Sequence, residues 1–194
     1  MPASFIRGFF AIDLPLVCKQ QLAAAVATLK LPFKQAFQKQ PDPFHWVKLQ
    51  NLHLTLQFLG QVKEDELVKL LQQAQLELQG LKAFLLPLGS PEWFPSSSHP
   101  KVLSLAVPPL ESLAALALAL KKSASALSYP VEDRPFRGHI TLARIHDLDH
   151  PDPALLRTFL WPALSVFVKE VVFFRSDSEK GESIYTQLAS LSLN

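Results

Sequence analysis

Apolar positions recur along this chain with two different rhythms. Residues 5–14 are a nearly unbroken apolar run of strand length, and Pro15 suits the first turn of a helix, where its missing N–H leaves no bond unmade. Cys18, Leu22, Val26 and Leu29 follow at spacings of four, four and three, which predicts a helix to about residue 31, stopped by Pro32. Residues 33–44, mixed in character and bounded by prolines, read as a loop. Over 46–60 the period becomes two: Leu52, Leu54, Leu56 and Phe58 share one face of a strand, with His53, Thr55 and Gln57 on the other. A second helix is predicted over 64–78, with Leu67, Leu71, Ala74 and Leu78 as its stripe and Gly80 ending it, then a strand over 84–88.

The order then repeats. A strand over 102–107 precedes Pro108 and Pro109, which open a helix with Leu113, Leu116, Leu120 and Leu127 on its apolar face. A strand returns over 136–145, followed by a short helix over 153–159, a β-rich run over 165–174 and a closing segment over 183–193. Strand, proline-started helix and a strand bearing His-x-Thr thus occur twice, with His53 and His139 86 residues apart. The expected fold is α+β: one duplicated domain over 1–194 of two similar lobes, each an antiparallel sheet faced by helices.

Composition narrows the function classes. In 194 residues, 48% apolar and 19% charged positions exclude global disorder. A net charge of +2 is too small to hold nucleic acid by bulk electrostatics, so any grip on an anionic polymer must be local. Cys18 is the single cysteine, which excludes an internal disulfide and a Cys-based zinc site and fits a reducing compartment. The opening residues lack an A-x-A cleavage pattern, and no uncharged apolar run reaches 18 residues. The expectation is a cytoplasmic protein, off the membrane.

The two His-x-Thr tetrads, 53–56 and 139–142, carry the chemistry. Period-two alternation sets each His beside its own Thr, opposite the aliphatic residues. If the lobes face each other, two imidazoles and two hydroxyls converge. One neutral His can take a proton, one charged His can give one, and hydroxyls can hold non-bridging oxygens of a phosphodiester. Unperturbed imidazoles near about 6.5 would put the working window around neutrality. Arg134, Arg137 and Arg144 lie within eleven residues around His139, and Arg suits phosphate. By parity Arg137 shares the face of His139 and Thr141, whereas Arg144 needs a strand end or bulge to reach it. Phe58, Phe174 and Tyr185 are candidates for stacking on a base. The stretch from His146 to Asp152 holds possible metal ligands but reads as a solvated turn, and Ser96 to His99 as a loop without a nucleophile elbow.

These motifs resemble a known family. Asn-Leu-His-Leu-Thr-Leu-Gln-Phe-Leu-Gly at 51–60 and Arg-Pro-Phe-Arg-Gly-His-Ile-Thr-Leu-Ala-Arg at 134–144 are similar to the two signatures of the 2H phosphoesterase superfamily, specifically its LigT-like RNA 2′,3′-cyclic phosphodiesterases. Residues 9–15 and 183–193 resemble that family's first and last strands, and Gly138 stands where the family commonly has Pro. The resemblance implies a bilobal fold with a cleft and no cofactor or metal. It implies hydrolysis of an RNA terminal 2′,3′-cyclic phosphate, or of cyclic nucleotides, to a 2′-phosphomonoester by a monomer. His53 would be the proton donor and His139 the proton acceptor; Thr55 and Thr141 would bind phosphate oxygens, with Arg137 and Arg144 as further substrate contacts. The alternatives are action on 2′-5′ RNA linkages, as phosphodiesterase or ligase, and a non-catalytic RNA-end binding protein.

Overall fold

The computed structural model describes residues 4–38, 42–148, 150–179 and 181–194. The chain opens with β1 (Phe5–Asp13), α1 (Leu16–Phe37), β2 (Phe44–Trp46), β3 (His53–Lys63) and α2 (Leu67–Glu77). It continues with β4 (Phe84–Leu88), β5 (Pro91–Phe94), β6 (Val102–Ala106), α3 (Glu111–Ala126) and β7 (His139–Ile145). A 3-10 segment, Pro153–Thr158, leads to β8 (Leu164–Val168), β9 (Glu170–Glu179) and β10 (Glu182–Ser192).

The fold is α+β with two antiparallel sheets, and the sheets are unequal. Eight strands form one, in the order β10-β9-β1-β3-β7-β6-β5 with β2 also paired to β7; β4 and β8 form the other. The two halves of the large sheet, β10-β9-β1-β3 and β7-β6-β5, join through a single pair, Leu54 opposite Ile140. The two His-x-Thr tetrads therefore meet at the seam. Two short strands, β2 and β5, are not evident from alternation, because three or four residues carry almost no period and β5 begins with a proline that only an edge strand tolerates.

Helix α1 does not stop at Pro32 but continues to Phe37. An interior proline costs about 3 kcal/mol or more. Phe33 offsets that: it is fully buried and packs against the rings of Phe37, Phe44, Trp46, Trp93 and Phe159. In α2 the buried line runs through Leu70, Ala74 and Leu78, with Leu67 and Leu71 at its margins. Leu22 and Leu29 of α1, Leu70 of α2 and Leu116 and Leu120 of α3 join Phe10, Leu54, Leu103 and Ile140 in one continuous core. A separate small cluster, Phe9, Ala11, Val172 and Phe174 with Tyr185 against it, occupies the other face of β1 and β9. That face carries the site.

Candidate active site

Strands β3 and β7 are built by the same device. In each, a half-buried His is followed by a buried residue, a half-buried Thr, two buried residues and then an exposed side chain. Two consecutive buried residues require a break in alternation, and the pairing shows it. Phe10 faces Gln57 but Ala11 faces Thr55, so Leu56 is skipped; Leu103 faces Ala143 but Ser104 faces Thr141, so Leu142 is skipped. A β-bulge adds one residue and inverts the parity of everything beyond it. The inversion corrects the alternation-based faces: Gln57 is buried at 8% exposure, while Phe58 is 45% exposed and on the cleft side. It also supplies the bulge that Arg144 needs, and Arg144 lines the cleft with Thr141.

The cleft holds about 420 Å³ and brings together His53, Thr55, Thr141 and Arg144. Its further lining comes from Arg7, Phe9, Val47, Asn51, Phe58, residues 176–178 of β9, Ser183 and Tyr185. At the seam, antiparallel pairing of Leu54 with Ile140 sets His53 level with Thr141 and Thr55 level with His139. His139 is not among the residues that line the cleft; it stands beside it on the face of Thr141, with its ring stacked on Phe94 at 4.1 Å. Arg137 turns away. Its guanidinium pairs with Glu92 at 2.5 Å, donates to the Pro95 carbonyl and lies over Phe94, lining a second cavity.

Both imidazoles are held in one tautomer by the same kind of contact. His53 Nδ1 lies 2.7 Å from the Asn51 carbonyl, and His139 Nδ1 lies 3.1 Å from the Arg137 carbonyl. A carbonyl only accepts, so each Nδ1 carries the hydrogen and each neutral ring has a bare Nε2. His53 Nε2 accepts from the Thr55 hydroxyl at 3.0 Å. Asn51 is itself fixed, donating from Nδ2 to the Ser183 carbonyl of β10 at 2.7 Å.

Burial pushes both imidazoles below their ordinary range. Around His53 the desolvating wall is aromatic: Phe9 at 5.0 Å, Tyr185 edge-on at 5.1 Å and Phe174 at 6.3 Å between ring centroids. The Asn51 carbonyl and Asp13 work against that lowering, whereas Lys19 and His139 add to it. Lys19 is buried, with Nζ on Asp13 at 2.6 Å and on the Gln50 carbonyl at 3.1 Å. For His139 the Arg137 carbonyl and Glu92 oppose desolvation, and the Arg137 charge assists it. A pair of unperturbed rings is thus replaced by two rings that both give up a proton more readily than a free imidazole.

Phe58 and Tyr185 line the cleft, and Phe174 is buried behind it. Arg7, the serines of β9 and Ser183 escaped the sequence reading. Alternation alone puts Arg7 with Phe9, and Ser176 and Ser178 with Phe174, but only the strand order brings those faces to His53. Among the described residues no three His, Cys, Asp or Glu side chains gather as metal ligands; the turn containing His146 and Asp152 includes Asp149, which lies outside the described residues. Among those residues, too, no helix is long and apolar enough to cross a membrane.

Comparison with known proteins agrees with this geometry. The family model described as the 2′-5′ RNA ligase superfamily matches residues 19–180. The RNA 2′,3′-cyclic phosphodiesterase of Escherichia coli is 32% identical over 185 residues, covering 94% of this chain and 93% of that protein. The protein of the same name from Thermus thermophilus is 31% identical over 195 residues, covering 97% and 90%. The crystal structure of Escherichia coli LigT complexed with 3′-AMP matches with a TM-score of 0.76 at 28% identity, over 98% of this chain and 99% of that one.

Proposed function

We propose that this chain, which belongs to the 2′-5′ RNA ligase superfamily, is an RNA 2′,3′-cyclic phosphodiesterase that yields a 2′-phosphomonoester, with His53 and His139 as its acid–base pair and no metal ion. The observation that carries the reading is the seam, where one residue pair joins two strands built alike and draws both His-x-Thr tetrads together.

Water attacks phosphorus in line with the bond to the 3′ oxygen. His139, with Nε2 bare, takes the water's proton as the new P–O bond forms; His53, protonated at Nε2, gives its proton to the 3′ oxygen as that bond breaks. Thr55 and Thr141 donate hydroxyl hydrogens to the non-bridging oxygens, and Arg144 balances their charge. Turnover leaves His53 neutral and His139 charged, and exchange with water resets the pair. Because burial lowers the proton affinity of His53, the substrate's negative charge, on entering, works in the opposite sense and favours the protonated ring that the acid role needs. Asp13, level with His53 across the β1–β3 pairing, acts in the same sense. Arg137 contributes through its carbonyl, which orients the His139 ring. Phe58 and Tyr185 offer faces to the base.

The test is incubation in EDTA with the four nucleoside 2′,3′-cyclic phosphates and a short RNA ending in one, followed by identification of the phosphate position. A 2′-phosphate formed in EDTA supports the reading. A 3′-phosphate would reverse the leaving group, and activity abolished by EDTA and restored by a divalent ion would move the chemistry to a metal. The matched superfamily's description favours one second reading, cleavage or formation of 2′-5′ linkages. The same acid and base serve that reaction, and a 2′-5′ dinucleotide in the same assay separates the two.

A further inference from the structure

A second cavity, of about 650 Å³, lies behind His139, and the reaction above makes no use of it. Strand β5 and the segment around Pro153–Thr158 supply its walls, with Trp93, Trp161 and Arg157 among them. Three features suit it to a ligand. Trp93 is 5% exposed, and the buried indole N–H groups of Trp93 and Trp161 have no hydrogen-bond partner. Buried donors left in that state are destabilising, so the cavity wall is not optimised for packing alone. The Glu92 carboxylate, which could neutralise the cavity, is taken by Arg137. Arg157 is exposed at the rim and, among the described residues, makes no ion pair. Positive charge is therefore in excess at the rim, with Trp161 and Phe159 among the lining residues.

The cavity also adjoins the catalytic strand. The Phe94 ring stacks on His139 and lies 4.7 Å from the Arg137 guanidinium, and Arg137 lines the cavity. A ligand with a flat body, several acceptors and a negative charge, held one residue layer from His139, matches a nucleotide of the same RNA. Building on the proposed activity, we propose that this cavity seats the nucleotide on the 5′ side of the one bearing the cyclic phosphate, so that the protein reads an RNA end and not only a mononucleotide. Arg157 meets the connecting phosphate, and Trp161 and Phe159, which line the cavity, offer apolar ring surface to the base.

The experiment compares kcat/KM for a nucleoside 2′,3′-cyclic phosphate and for the dinucleotide ending in it, in the native protein and in Arg157→Ala and Trp161→Phe. The native protein should prefer the dinucleotide by about tenfold or more, as one added charge-assisted contact allows. Either substitution should cut that preference severalfold and leave the mononucleotide rate unchanged. A native protein without preference, or variants that keep it in full, would overturn the proposal. A parallel titration with a nucleoside 3′-monophosphate and the corresponding dinucleotide 3′-phosphate separates this site from the activity. If neither cyclic phosphate is hydrolysed, the proposed activity fails, and the cavity stands or falls on whether the dinucleotide binds more tightly and loses that gain in the variants.

Discussion

At the fifth position after its histidine, strand β3 carries Phe58 and strand β7 carries Arg144; both are turned to the cleft by a bulge at the residue after the threonine. Two positions before the histidine, β3 is preceded by Asn51 and β7 by Arg137, and in both cases it is the backbone carbonyl that holds Nδ1. The backbone device is thus duplicated while the side chains around it are not. His53 sits in an aromatic box of Phe9, Phe174 and Tyr185, with the Lys19–Asp13 pair nearby. His139 has one stacked ring, Phe94, and the Arg137–Glu92 pair. On the proposed reading, symmetry of backbone would set two like groups on one phosphate, and asymmetry of surroundings would let them take opposite roles.

The most severe break of this comparison is loss of either ring. His53→Ala and His139→Ala should each lower kcat on the cyclic phosphate by ~10²- to 10⁴-fold with the fold retained, and the double variant should lose little more, since the two act as a unit. Near-native turnover by one folded variant would leave the other half of the site acting alone. The hydroxyls come next. Thr55→Val and Thr141→Val keep the β-branched shape and remove the donor, and each should reduce kcat/KM roughly tenfold to a thousandfold. Equal losses would mark the hydroxyls as a matched pair. A loss confined to Thr55, the one bonded to His53 Nε2, would make its role ring orientation.

Exchanging what differs sharpens the comparison. Arg144→Ala should raise KM for every nucleotide alike, by about tenfold, because a phosphate contact does not read the base. Phe58→Leu should instead change the ranking of the four cyclic nucleotides by severalfold, since stacking on a base is worth ~1–3 kcal/mol and depends on ring size. Steady-state kinetics with all four substrates tells a common shift from a reordering.

The smallest effect is on pH dependence. Burial lowers both imidazoles, so the singly protonated pair is most populated between two values that lie below about 6.5. The kcat/KM optimum should fall on the acid side of about 6.5, and the kcat optimum should lie higher, because bound substrate adds negative charge beside the rings. Coincident optima near neutrality would show rings unaffected by their burial. Stability carries a related sign: the unfolded chain binds more protons than the folded one below about 6.5, so stability present above that pH is lost as it falls through the lowered folded values. Thermal unfolding across this range should show that loss, and the double His→Ala variant should show less of it.

Much of this was legible along the chain. Apolar spacing marked β1, the three helices, β4 and β6, and the repeated His-x-Thr singled out His53, Thr55, His139 and Thr141, because period-two alternation is a local property. The same periodicity misled wherever a distant contact overruled it. Pro32 signals a stop, yet aromatic partners from three other segments bury Phe33 and carry α1 onward. Phe58 counts as core and Arg144 as facing away until the bulges against β1 and β6 reverse both.

What the sequence by itself determined is the chemistry available: two imidazoles, two hydroxyls, nearby arginines, one cysteine and too little net charge for bulk attraction to RNA. The tertiary structure decided which of these act on the same space. It joined the half-sheets at Leu54 and Ile140 and lowered both imidazoles by enclosing them. It sent Arg137 to Glu92 and a second cavity, and drew Arg7, Tyr185 and the β9 serines to the cleft. Local alternation sets which side of its own strand a residue occupies; pairing register, bulges and desolvation depend on residues far away in the chain, so they exist only once the strands have met.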